Sequence, residues 1–341
     1  MPDTVLVTGV SGFIAKHVAL KLLEAGYDVR GTVRTERRAD EVRKAIAEHG
    51  GDPHRLSFVV ADLGSDDGWA EAAARCRFVQ HIASPFPMKQ PRNREALVPE
   101  ARAGALRVLE AALDAGAERI VMTSSMVTMM YRPDRPAEIR VHEDDWSDPE
   151  WPAASAYIVS KIRAEHAAWQ FMSDRDARDR LVTVNPGFVL GPLLDDVSGT
   201  SVDVIKLILE GAYPAVPPSA YPVVDVRDVA DVQVAAMTAP VGGRRLMAAG
   251  ETMTMPEMAL ALRAAFPERA GKIPTRVLPP FMVRLISVFD RSLKSVIPDI
   301  GTRPVARSGY VTDLTGVKFR PAEESVRAAG QSVIDRGLSK S

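Results

Sequence analysis

The 341-residue sequence has a single cysteine, Cys76, and almost no net charge, with 43 Lys and Arg against 44 Asp and Glu. One cysteine makes no internal disulfide, which fits a reducing compartment. Near neutrality gives no electrostatic ground for nucleic acid or an acidic membrane as the main partner. No run approaches the roughly 18 uninterrupted apolar residues of a membrane span. The most lipid-like stretch, 278–289, is short and holds Arg284. The start does not read as a signal peptide, because Pro2-Asp3 stands in place of a basic lead. His17, His49, His54, His81, His142 and His166 show no ligand spacing with one another or with Cys76, so no metal is expected. The expectation is a soluble cytoplasmic protein, monomeric or homodimeric. At this length it has two domains, or one large domain with an appendage.

What is present is alternation. Buried-strand runs at 5–7, 28–33, 56–61, 78–82, 119–123 and 181–185 are separated by amphipathic helical stretches at 13–25, 39–49, 69–75, 95–115 and 156–172. Strand and helix alternating at this spacing predict an α/β fold, a doubly wound parallel Rossmann sheet covered on both faces. Beyond Pro186 turn residues crowd the chain, and a strand at 223–225 leads into a helix to about Met237. The reading is a cofactor domain over 1–185 and roughly 222–240. A smaller, discontinuous α/β substrate-side region covers 186–221 and 241–335, and 336–341 is a frayed tail.

Val5-Leu6-Val7-Thr8-Gly9-Val10-Ser11-Gly12-Phe13-Ile14-Ala15 reads as strand, glycine turn and helix start. Gly9 permits the tight turn, Gly12 lets backbone approach a pyrophosphate, and Ala15 is small enough where helix meets strand. Amides of Ser11, Gly12, Phe13 and Ile14 at a helix N-terminus then face phosphates. The second strand ends in Gly31-Thr32-Val33-Arg34, followed by Arg37 and Arg38, where a ribose 2′-hydroxyl would want an acid. A guanidinium suits a 2′-phosphate, so NADPH/NADP+ is favoured over NAD(H). Asp62-Leu63 follows the third strand where an adenine would rest; Asp62 either accepts from its amine or caps the next helix. Ala83 and Ser84, after the fourth strand, are small enough to pass beside a dinucleotide. His81 reads as a packed strand residue.

Tyr157 and Lys161 stand four apart, on one face of a helix. A nearby ammonium stabilises a phenolate and lowers the phenol's pKa from near 10 toward a working range. Thr123-Ser124-Ser125 ends the fifth strand at the sheet edge where ligands sit in open α/β folds. The acidic run Glu143-Asp144-Asp145-Trp146-Ser147-Asp148-Pro149 reads as a loop with capping carboxylates.

The glycine loop, Gly31-Thr32-Val33-Arg34, Asp62-Leu63, Thr123-Ser124-Ser125, Tyr157 with Lys161, and Asn185-Pro186-Gly187-Phe188-Val189-Leu190-Gly191-Pro192 come in an order that resembles the extended short-chain dehydrogenase/reductases. The 143–149 run and Val224-Asp225-Val226-Arg227-Asp228-Val229-Ala230 resemble the dihydroflavonol-4-reductase and aldehyde/carbonyl reductase branch. The likeness covers nearly the whole chain, to about residue 335. It implies Tyr157 as general acid, Lys161 as holder of the nicotinamide ribose, and Ser125 rather than Ser124 on the substrate oxygen. It further implies Pro186 and Val189 beside the nicotinamide. Met126 and Met129-Met130 depart from the smaller residues common after that serine. The pocket for a small-molecule carbonyl or alcohol is expected from Pro85, Phe86, Met126, Phe188 and Tyr221, with the 190–222 loops and the 279–290 segment. A nucleotide-sugar epimerase or dehydratase with tightly bound NAD is the alternative enzyme, and Arg34 argues against it. An NADP-sensing regulator is the non-enzymatic alternative, and it has no need of Ser125, Tyr157 and Lys161 together.

Overall fold

The apolar runs between glycine turns form the strands of a parallel sheet, in a computed structural model that describes residues 2–85, 91–287 and 296–340. The strands are β1 (Thr4–Val7), β2 (Asp28–Val33), β3 (Leu56–Val60), β4 (Phe78–His81), β5 (Arg119–Thr123), β6 (Glu138–Val141), β7 (Leu181–Pro186), β8 (Phe188–Leu190), β9 (Ala220–Asp225), β10 (Arg245–Ala248), β11 (Thr252–Thr254) and β12 (Arg303–Ala306). The main sheet runs β10-β7-β5-β4-β1-β2-β3, every pair parallel. Strand periodicity divides its side chains between two cores. Val5 and Val7 of β1 join one with Val18 and Leu22 of α1 (Phe13–Glu24); Leu6 joins the other with Val108 and Leu109 of α4 (Val98–Asp114). Burial on both faces is why these strands read as near-continuous apolar runs.

Strand β1 has β2 on one side and β4 on the other, so the crossovers leave in opposite directions and open a crevice at the ends of β1 and β4. Two small sheets, β11-β9-β8 and β12-β6, complete the described strands on the substrate side. Lys16 of α1 is buried and paired with Asp195, and His17 Nε2 lies 2.9 Å from the Pro192 carbonyl. These contacts seat the chain after β8 on the cofactor helix. Among the described residues no helix is long and apolar enough to cross a membrane.

Three sequence expectations need revision. β10, assigned to the substrate side, is the edge strand of the main sheet beside β7. Its four residues are buried although the first is a charge, Arg245, which disguised the run. The 222–225 part of β9, assigned to the cofactor domain, pairs with β8 and β11 instead, and it is the helix after it, Val226–Ala235, that packs against α1. The tail is docked rather than frayed: Arg269 donates to Ser339 Oγ at 2.9 Å, and the Lys340 amide to Glu210 at 2.9 Å. Within 279–290, residues Pro280–Ile286 form a short helix that leaves Phe281 and Leu285 exposed, and 288–290 lie outside the described residues.

Candidate active site

The end of β1 is fastened to the end of β4 through Thr8. Its Oγ1 accepts the amides of Ile82 and Ala83 at 3.0 Å each, leaving its proton for His81 Nδ1 at 3.0 Å. His81 is buried, and burial together with the Lys161 ammonium pushes its pKa down to about 3. It is a neutral packed strand residue. Gly9 follows at φ +60°, its amide on Thr32 Oγ1 at 2.9 Å, and an added Cβ would stand 2.9 Å from Ala83 Cβ. Gly31 has the same kind of role, since a Cβ there would meet Val10 Cγ1 at 2.4 Å. No bulkier residue fits between the first turn and its two neighbouring strands.

Gly12 caps α1 with no side-chain bond to the first-turn amides, and that turn holds no acid. This is the arrangement an anion takes at a helix N-terminus. Ser11 and Ile14 are half-buried at this mouth. Phe13 is buried edge-on against His17, ring centroids 5.7 Å apart, so only its amide faces the loop.

Past β2, Arg37 and Arg38 are both drawn to Glu41 along α2 (Glu36–Glu48), at 3.8 and 2.6 Å. Arg34 is exposed and, among the described residues, engaged by no ion pair. Asp62 accepts the Gly64 amide at 2.7 Å, closing a turn, and it does not cap α3 (Trp69–Ala73), whose cap is Gly68. Leu63 lines a small cavity with Ala83, Ser84, Pro85, Ser124 and Lys161, at the crevice between the sheet edge and the helices.

Helix α6 (Ala156–Ser173) starts at Ser155, whose side chain accepts the Ile158 amide. Tyr157 and Lys161 follow one turn apart. The Lys161 ammonium donates to Ser84 Oγ at 2.9 Å and lies 6.0 Å from the Tyr157 ring centroid. Ser125 is hydrogen-bonded to the Tyr157 phenol. Ser124 is buried and turns the other way, donating to Glu165. Burial raises the phenol's pKa here, with the Ser125 bond acting against it. The sequence reading expected it lowered by Lys161, whose ammonium here donates one bond to Ser84 and stands 6.0 Å from the phenol ring centroid. Burial also lowers Lys161, to about 8, with Glu165 opposing the shift.

Comparison with known proteins then places the chain. A model of the NAD dependent epimerase/dehydratase family matches residues 5–249. The chain belongs to this family. Cinnamoyl-CoA reductase 1 of Petunia hybrida is 35% identical over 276 residues, covering 80% of this chain and 80% of that protein. Ketoreductase azaE of Aspergillus niger is 32% identical over 308 residues, 84% of this chain and 90% of that one. Among solved structures, yeast methylglyoxal/isovaleraldehyde reductase Gre2 complexed with NADPH superposes with a TM-score of 0.80 at 25% identity, over 98% of this chain and 99% of that one. Gre2 of Candida albicans in complex with NADPH gives 0.80 at 28% identity, with the same coverage.

On the substrate side of this epimerase/dehydratase-family chain, Phe188 and Tyr221 are half-buried and stacked, centroids 5.0 Å apart. Tyr221 and Tyr131 both hydrogen-bond the buried Asp299 carboxyl, Tyr131 at 2.7 Å. Pro186, the last residue of β7, and Val189, the middle residue of β8, are both buried. Met126 does not line an open pocket: it is 2% exposed, packed in the core with Met129 and Met130. Pro85 is half-buried, and Phe86 lies outside the described residues. A separate cavity of about 350 Å³, lined by Trp146, His166, Trp169 and Arg244, contains none of the expected site residues. Sequence reasoning missed Thr8, Glu165, Arg245, Tyr131 and Asp299. Only Glu165 left a local signal, one turn beyond Lys161 on the same helix.

Proposed function

We propose that the protein reduces a ketone or aldehyde carbonyl with NADPH, and in reverse oxidises the alcohol, with Tyr157 as the general acid. That it is an NADP-dependent oxidoreductase rests on the family match, the reductase relatives and the NADPH complexes of the similar structures. The glycine loop fits the dinucleotide, since Gly9 makes the tight turn at φ +60° against Ala83 and the α1 amides are left without a side-chain cap. Arg34 would hold the 2′-phosphate. The observation carrying the reading is the meeting of Ser125 and Tyr157 hydroxyls one turn from Lys161 at the crevice.

When bound, NADPH supplies the hydride. The chain's own contribution is the oxygen's side of the reaction. Ser125 and Tyr157 would both hydrogen-bond the carbonyl oxygen, favouring the negative charge that grows there. A half-buried phenol with a raised pKa stays protonated at neutral pH and is a proton donor. As the proton leaves, the Lys161 ammonium stabilises the phenolate. Asp62 and Leu63 would rest against the adenine, and Ala83 and Ser84 beside the dinucleotide. Pro186 and Val189 would flank the nicotinamide. Pro85, Phe188 and Tyr221 would border the substrate.

NADPH oxidation measured across aldehydes, aryl ketones, ketoesters and dihydroflavonols tests the reading. Turnover of at least one class is expected. No turnover with any class, together with NAD that copurifies, would replace it with the epimerase or dehydratase.

A further inference from the structure

Glu165 lies one turn beyond Lys161 on α6 and is fully buried. An ionised carboxylate is held in such a place only by donors, and here they come from four directions. Arg245 Nε of β10 donates at 2.7 Å, Asn185 Nδ2 and Thr183 Oγ1 of β7 at 2.9 and 3.2 Å, and Thr128 Oγ1 of α5 (Val127–Met130) at 2.7 Å. Ser124, at the end of β5, donates as well. Together they keep the carboxyl ionised, its pKa lowered despite burial.

The donors are the same groups that hold the catalytic serine. The Ser125 carbonyl accepts from Asn185 Nδ2 at 3.3 Å and lies 2.8 Å from Thr128 Oγ1, whose single proton is shared between this carbonyl and Glu165. Arg245 is fixed from behind, its guanidinium 3.7 Å from the Trp146 ring centroid and bonded to the carbonyls of Glu143 and Asp145. A neutral side chain of the same shape could bridge these elements. A negative charge does something further, because the charge one turn away belongs to Lys161.

We propose that Glu165 is a positioning residue for carbonyl reduction, its buried charge keeping Lys161 protonated while its bonds fix the segment that carries Ser125. This rests on the reading of Tyr157 and Lys161 as the proton-transfer pair. Lys161 bonds Ser84 from the β4 side and lies 6.0 Å from the Tyr157 ring centroid; the other titratable groups that feel its charge are Glu165, one turn on along its own helix, and His81 of β4. Arg245 is bonded to Glu165. Burial draws the ammonium down toward about 8, His81 is neutral, and Glu165 is what opposes the loss.

The test is a titration of Lys161 in the cofactor-free protein. The side-chain carbon resonances of labelled lysine are followed by NMR, with Lys161 assigned from its absence in Lys161→Arg. Glu165→Gln is compared with Glu165→Asp, which keeps the charge. A further variant, Glu165→Gln with Arg245→Met, removes both buried charges and leaves no lone cation. The midpoint is expected to fall by roughly one unit in both variants lacking the carboxylate, and to stay near the wild-type value in Glu165→Asp. The alkaline limb of kcat should move down by the same interval, with the KM for NADPH little changed. An unmoved midpoint in the folded double variant overturns the proposal and leaves Glu165 a strut. The NMR titration needs no turnover, so it decides the charge effect even if Tyr157 proves not to be the acid.

Discussion

Lys161 reaches from α6 to the Ser84 hydroxyl, 2.9 Å away at the end of β4. The contact joins the helix that carries the proposed acid to the strand end where the crevice opens. Ser84 is exposed, so Ser84→Ala should leave thermal stability unchanged. It should lower kcat/KM about tenfold, the scale of one hydrogen bond to a charged group. Steady-state kinetics beside a thermal melt checks this. A loss below twofold would make the contact idle in turnover.

Arg34 differs from its neighbours because Glu41 occupies Arg37 and Arg38. Arg34→Ala should raise the KM for NADPH by roughly ten- to a hundredfold, as expected for a charge-assisted bond to phosphate. NADH, lacking that phosphate, should be nearly untouched. Equal effects on both cofactors would refute the assignment of Arg34.

Asp299 is 4% exposed, and burial raises its pKa to about 6 although two tyrosines bond it. A folded-state value above the unfolded one means that the ionised carboxyl costs stability above about pH 6. That cost fades as pH falls from 6 toward 4. Asp299→Asn should therefore be more stable than the natural protein at pH 8, by on the order of 2 kcal/mol. The difference should vanish near pH 4. Urea unfolding at the two pH values measures it, and a variant less stable at pH 8 would show that the tyrosine bonds outweigh burial.

The cofactor half was legible because its elements are local. Strands β2 and β5 fall where the apolar runs put them, and Gly9 and Gly31 mark close approaches that a side chain would block. Tyr157 and Lys161 were readable from helical spacing, and Ser125 from the resemblance. The rest depends on partners far apart in the chain. Arg245 hides a buried strand because its counter-charge, Glu165, lies 80 residues earlier. Asp299 meets Tyr131 across 168 residues, and neither has a local pattern that foretells the other. Met126 was expected in the pocket because it follows Ser125, but its side chain packs into the core with Met129 and Met130.

The central claim is that the Tyr157 phenol delivers the proton, and Tyr157→Phe tests it most directly. The substitution removes one oxygen and keeps the ring. NADPH binding, followed by fluorescence, should persist, and kcat with the best carbonyl substrate should fall by about 10²- to 10⁴-fold, the usual weight of a general acid. A variant that binds NADPH and turns over near the natural rate would contradict the account.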